Sequence, residues 1–292
     1  DMGGYSLGYD ETAQVIVVLS SATDPAKHNA SVRDCPLDDC NDKSNLYAVA
    51  LPAFTPAADT KLGENKITYA SGIAGAFNVL HLMVLGADFA KANLGGVPPS
   101  HTAQWKSGSD TSCQTSCFSS GNNTLYILST AADTDEFDDG VLGHEYGHFL
   151  ESAFSRSDSP GGSHDGTPTD PRLAWGEGYG TFVGAAIVGS PIYIDSSAGG
   201  ASVTNVDNID MKFYANPNSI KGMKQLTSEY MVMQLLWQIA KGYGNVPGKG
   251  TQPVFDVLGK YFPSNKLADR GVTGVDLVDF LDGWFCREHG DK

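Results

Sequence analysis

Two hydrophobic rhythms run along the chain. Gln14 to Leu19 and Leu46 to Leu51 are β-rich apolar runs bounded by turn residues, and Leu125 to Ser129 is a shorter run of the same kind. Phe77 to Ala92 carries its apolar residues at helical spacing. In the stretch from Val141 to about Phe154, Leu142, Tyr146, Phe149 and Ala153 share one side of a helix, and Asp133-Thr134-Asp135-Glu136 gives it an acidic start. A further helix is predicted from about Pro171 to Val188, with proline suited to its first turn. Trp175, Tyr179, Phe182 and Ala186 fall on one face of it, and Gly180, Thr181 and Gly184 share the side of Glu177. Small residues there predict that a neighbouring helix comes close. Beyond Gly189 the pattern reads as mainly helical: Thr227 to Lys241, capped by Thr227 or Ser228, then Gln252 to Tyr261 and Val275 to Cys286. Strands early and helices late predict an α+β chain. Residues 1–154 would hold a sheet and the first of the paired helices, and residues 155–292 a mainly helical second part.

The polar side of the Val141 to Phe154 helix carries the chemistry. His144-Glu145-Tyr146-Gly147-His148 places two imidazoles four residues apart, within about 40° of each other on a helix and one turn apart. Both rings can therefore reach one tetrahedral ion, which makes His144 and His148 candidate zinc ligands. Glu145 stands beside them as the candidate general base for a metal-activated water. A third ligand is needed. A histidine six residues after His148 would complete one known pattern, but Phe154 is there. Glu177, 29 residues after His148 in Trp175-Gly176-Glu177-Gly178-Tyr179-Gly180, is the preferred candidate. Asp170 and His164 are the competitors, and His164 reads as a loop residue near the cleft.

A His-Glu-x-x-His helix followed by Glu-Gly on a second helix resembles the gluzincin metallopeptidases over the segment from Asp135 to Gly189. The resemblance implies a two-subdomain, zincin-like architecture with Zn²⁺ held by His144, His148 and Glu177, and Glu145 as base. It also implies an oxyanion donor from the lower subdomain. Tyr230 is the first choice for that role, followed by Tyr214, Tyr193 and His164. In such enzymes an extended substrate pairs with a sheet edge, for which Leu125 to Ser129 or Ala103 to Lys106 is the expected strand. The chain departs from thermolysin-like members in the longer spacing to Glu177 and in Gly176, where those enzymes carry an asparagine. The expected activity is a zinc endopeptidase acting on protein or peptide. An inactive zinc-binding adhesion module and a metallohydrolase of non-peptide substrates are the alternatives.

Composition narrows the setting. At 292 residues and 41% hydrophobic, the chain can bury a full core, and a net charge of −15 argues against nucleic acid and anionic membranes as partners. No apolar run reaches the ~18 residues of a membrane span. Cys35 with Cys40, and Cys113 with Cys117, bracket polar loops and are expected to form two local disulfides, leaving Cys286 over. A secreted, periplasmic or cell-surface location and a monomeric state are therefore expected. The N-terminus, Asp1-Met2-Gly3-Gly4, reads as a processed or trimmed start. Two acidic clusters raise calcium as a second ion: Asp133, Asp135, Glu136, Asp138 and Asp139, and Asp34, Asp38, Asp39 and Asp42.

Overall fold

The computed structural model describes residues 14–34, 45–55, 65–208, 227–265, 267–270 and 272–290. Among these residues lie six α-helices and several small sheets, an α+β arrangement. The first strands are β1 (Val18–Ser20), β2 (Ala30–Arg33) and β3 (Ala48–Ala50), followed by helix α1 (Ala74–Leu94). Next come β4 (His101–Gln104), β5 (Cys117–Ser119), β6 (Thr124–Tyr126), β7 (Ser129–Thr130) and β8 (Asp133–Thr134). The paired helices are α2 (Asp139–Phe154) and α3 (Pro171–Val188), and a hairpin of β9 (Ile192–Ser197) and β10 (Gly200–Asn205) follows them. After α4 (Glu229–Lys241) come β11 (Gly242–Tyr243), β12 (Val246–Pro247), α5 (Gln252–Lys260) and α6 (Leu277–Cys286).

One four-stranded sheet has the order β2-β4-β6-β5, with β2, β4 and β6 parallel and β5 antiparallel at the edge. This corrects the expected substrate edge. Ala103 lies in β4 and Leu125 in β6, and both strands are paired on two sides; the outer side of β2 is bridged at Ser31 and Arg33 to Ala22 and Leu46, so among the described strands the free edge is that of β5. β5 is short and half-buried, and it begins at Cys117, which is disulfide-bonded to Cys113, so no hydrophobic run announces it. A second four-stranded sheet, β10-β9-β8-β7, attaches the hairpin to the segment preceding α2. That hairpin adds strands to the part beyond Gly189, whose helices otherwise lie where the pattern predicts them. Ile192 and Ile194 are exposed, with serines closing the strand, so its alternation has no buried apolar face to mark it.

The buried layer lies between the four-stranded sheet and the helices. Val32, Ala103 and Leu125 from the sheet join Val79 and Met83 of α1 and Tyr146, Phe149 and Leu150 of α2 in one cluster, which continues into Trp175, Phe182, Leu236 and Phe280. Helix ends follow their sequence signals. The Asp170 side chain accepts from the Arg172 backbone N–H ahead of Pro171, and Ser228 accepts from Met231 N–H. Gly189, at φ 76°, closes α3 in the left-handed region.

The contact that matters most is between α2 and α3. A β-carbon on Gly147 would sit 2.9 Å from Gly180 Cα, and one on Gly143 would sit 2.7 Å from Gly184 Cα. The helices are therefore in backbone contact at two levels, as the small residues beside Glu177 predict. The opposite face of α3 holds α4, where a β-carbon on Gly178 would lie 2.4 Å from the Glu229 carbonyl oxygen. Glycine on both sides of α3 draws α2, α3 and α4 into one tight stack.

Candidate metal centre

His144 and His148 project from α2 towards α3, and Glu177 projects back from the second turn of α3. Their polar atoms converge. His144 Nε2 lies 3.0 Å from His148 Nε2 and 3.1 Å from Glu177 Oε2, and His148 Nε2 lies 3.3 Å from the same oxygen. Ligands of one tetrahedral ion with bonds of 2.0–2.1 Å sit about 3.3 Å apart, so the three atoms form nearly one face of such a sphere.

The tautomer is set by a neighbour. Thr181 Oγ1 donates to the Glu177 carbonyl oxygen at 3.2 Å, which leaves its lone pairs for the His144 Nδ1–H at 3.0 Å. The lone pair of a neutral His144 is then on Nε2, facing the other two acceptors. Two imidazole lone pairs and a carboxylate oxygen at these distances repel unless a proton or a cation lies between them. Protons can fill the gap. Burial opposes a charge on His148, but the Glu177 contact and the nearby Glu145 push it up to about 9. Burial likewise works to raise the Glu177 carboxyl, but the hydrogen bonds from both histidines hold it far below the usual carboxylate range. A divalent cation would do the same work by displacing those protons. The donor set therefore fits a nitrogen- and oxygen-binding metal such as zinc.

Glu145 is buried between the two ligands in sequence. Tyr193 on β9 lies nearby, with its ring centroid 6.5 Å from that of His144. Its phenol is pushed well above its ordinary range by burial and by the charges of Asp195 and Glu145. Beneath the site Glu151, only 1% exposed, accepts from Trp175 Nε1–H at 2.9 Å. A buried carboxylate thus pins α3 to α2 one turn beyond His148.

The remaining candidates sort by position. Asp170 accepts from Arg172 through both carboxylate oxygens and caps α3. The Tyr230 ring lies against Gly166. Tyr214 lies outside the described residues. His164 lies beside the triad, with Nε2 3.3 Å from Glu177 Oε2 and Nδ1 2.6 Å from Glu229 Oε2. Its sequence signal, one histidine in a Gly- and Ser-rich loop, carries no hint of either carboxylate.

The cysteine and calcium expectations divide similarly. Cys113 and Cys117 are paired as expected, Cys35 and Cys40 lie outside the described residues, and Cys286 is exposed. The first acidic cluster separates. Carboxylate oxygens of Asp133 and Asp135 come within 4.8 Å of each other and of Asp195, a residue the sequence did not suggest. Glu136 instead accepts from Ser129 Oγ, Asp138 accepts from Ser196, and Asp139 meets Asn78. Burial and the charges of Asp133 and Asp195 push the Asp135 carboxyl up to about 7, so near neutral pH a shared proton relieves the repulsion. In the second cluster Asp34 pairs with Lys106 at 3.3 Å, and Asp38, Asp39 and Asp42 lie outside the described residues.

No protein-family model matches the chain, and no relative is found among curated proteins. Among the described residues no helix is long and apolar enough to cross a membrane.

Proposed function

We propose that the chain is a zinc-dependent peptidase of zincin-like fold, secreted or held at the cell surface, that hydrolyses peptide bonds within proteins or peptides. The observation that carries this reading is the convergence of His144 Nε2, His148 Nε2 and Glu177 Oε2 next to the buried Glu145. Three neutral or anionic protein ligands on one side of an ion leave its other side open, the arrangement expected of a catalytic rather than a structural zinc. Zinc bound there would supply Lewis acidity and lower the pKa of a coordinated water towards ~7.

The residues of the chain divide the remaining work. Glu145 takes the proton of the attacking water and delivers it to the leaving amine. Thr181 fixes the His144 ring so that Nε2 faces inward. β5 is the edge along which an extended substrate would pair, because its side away from β6 is free among the described strands and it packs beside α2. The reading also keeps the expected division near residue 154, with the cleft between the sheet-bearing and the later part. The Cys113–Cys117 disulfide suits an oxidising compartment.

The test is incubation of the purified protein with casein and a pool of quenched peptides, with chelator and after zinc is restored. Cleavage that disappears with chelator and returns with zinc is expected. Zinc bound at one equivalent without cleavage of any peptide would favour a binding module. Cleavage confined to a non-peptide substrate would favour a different hydrolase.

A further inference from the structure

We infer that His164, Glu229 and Glu177 form a second divalent-cation site beside the first, with Glu177 shared between the two ions; this rests on the zinc reading above, because Glu177 belongs to both donor sets. One ligand atom from each of the three residues lies within 4.8 Å of the others. His164 Nδ1 is 2.6 Å from Glu229 Oε2, and its Nε2 is 3.3 Å from Glu177 Oε2. Donors bonded to one ion at ~2.1 Å lie about 3.3 Å apart in a tetrahedron and up to about 4.2 Å apart when opposite each other. Shifts of roughly half an ångström therefore bring the three atoms around one ion. The His164 side chain, 36% exposed in a loop rich in glycine and serine, can make that adjustment. A divalent cation displaces whatever protons these groups share, so donor placement decides whether one fits.

Helix packing brings the two carboxylates together. Gly178 lets α4 lie against α3 at the Glu229 backbone, and Glu177 is the residue before that glycine. Glu229 itself is buried in the first turn of α4. The loop is then seated beside both. Gly166, two residues after His164 and at φ +82°, has the Tyr230 ring closer than a β-carbon would allow, so the chain rests on the side chain next to Glu229. Neither carboxylate meets a lysine or arginine among the described residues: Glu177 pairs with His144, His148 and His164, and Glu229 with His164.

Charge and donor chemistry point the same way. One divalent ion held by His144, His148 and Glu177 does not neutralise the three carboxylates of Glu145, Glu177 and Glu229, so the pocket still attracts a cation. The first donor set offers two nitrogens and one oxygen, and the second offers one nitrogen and two oxygens. With fewer imidazoles and a carboxylate already engaged, the second site binds zinc more weakly than the first, and its oxygen content suits manganese as well.

The experiment strips the purified protein with chelator and titrates zinc in competition with a chromophoric chelator, with metal analysis at saturation. Two equivalents are expected, the second bound about tenfold or more weakly than the first. His164→Ala and Glu229→Gln should each keep the tight equivalent at parental affinity, which also shows that they fold, and lose the second. Glu177→Gln should weaken both. Manganese added to the protein carrying one zinc should bind at one further equivalent, read by electron paramagnetic resonance of the free ion, and should not bind zinc-loaded His164→Ala. A parent that binds a single equivalent of zinc would overturn the second site and leave the first standing. So would a second equivalent that survives His164→Ala or is undiminished in Glu177→Gln, and its loss in Asp195→Asn instead would move it to Asp133, Asp135 and Asp195. Loss of the tight equivalent from His164→Ala would make His164 a ligand of the first ion and equally overturn the inference. A parent that binds no zinc would overturn the metal centre itself.

Discussion

Gly147→Ala isolates the role of helix spacing, because the zinc-binding pattern does not itself require glycine at this position. The new β-carbon would lie 2.9 Å from Gly180 Cα, 3.0 Å from Gly180 O and 3.2 Å from Val183 Cβ. Ordinary contact begins near 3.4 Å, so α3 must retreat by about half an ångström, because two of these neighbours are backbone and the third is a β-carbon, none of which a rotamer change can move. Metal–ligand bonds tolerate about 0.2 Å, and Glu177 rides on α3 while both histidines ride on α2. The retreat therefore opens the triad. Overpacking costs roughly 1–3 kcal/mol, against a helix-propensity gain of about 1 kcal/mol for replacing glycine with alanine. A net loss of up to about 2 kcal/mol is expected in denaturant unfolding of the metal-free protein. Zinc affinity should fall by about 10–100-fold, the scale associated with disturbed ligand orientation, in competition against a chromophoric chelator. An alanine variant that binds zinc like the parent and unfolds at the same or a higher denaturant concentration would refute the claim that backbone contact sets the ligand geometry.

Other outcomes follow from the same geometry. Glu145→Ala should keep zinc at one equivalent and lose about 10²–10⁴ in kcat, measured by metal analysis and peptide turnover; turnover at the parent rate would remove Glu145 as the base. Two buried groups should shape stability against pH in opposite directions. His101 stacks on Phe149 at 4.3 Å, and burial lowers its pKa to about 4, so the unfolded chain binds the extra proton and stability falls as pH drops from about 6.5 to 4. Asp135 is raised to about 7, so the folded chain holds the extra proton, and stability falls as pH rises from about 4 to 7. Each slope is at most ~1.4 kcal/mol per pH unit. Relative to the parent, Asp135→Asn should tilt the profile upward with rising pH across this window, and His101→Gln should tilt it downward. Denaturant unfolding at a series of pH values reads both, and parallel profiles in the two variants would contradict the assignments.

Much of the site was legible along the chain because its first elements are local. Four residues separate His144 from His148, and helical periodicity alone puts them on one face. Asp170 and Pro171 announce the start of α3, and Gly180 and Gly184 announce the side on which α2 must lie. Glu177 was preferred on that ground, with Asp170 and His164 left as competitors. The α-helical part of the fold was readable for the same reason, since long periodic segments average over many residues.

Tertiary structure alone decided the rest. β5 and the β9–β10 hairpin are short, half-exposed pairings whose register comes from their partners, so the true sheet edge and the place of Tyr193 were hidden. His164 meets Glu229 across 65 positions, and Asp195 joins Asp133 and Asp135 through a strand that the hydrophobic pattern does not mark. In each case a polar side chain finds its partner only after loops close, and hydrogen bonds and charge pairs leave no periodic trace in the chain. Hydrophobic spacing writes helices into the sequence. Which polar groups finally face one another depends on how those helices stack, here on the α2–α3 glycine contact and the α4 helix that α3 carries with it.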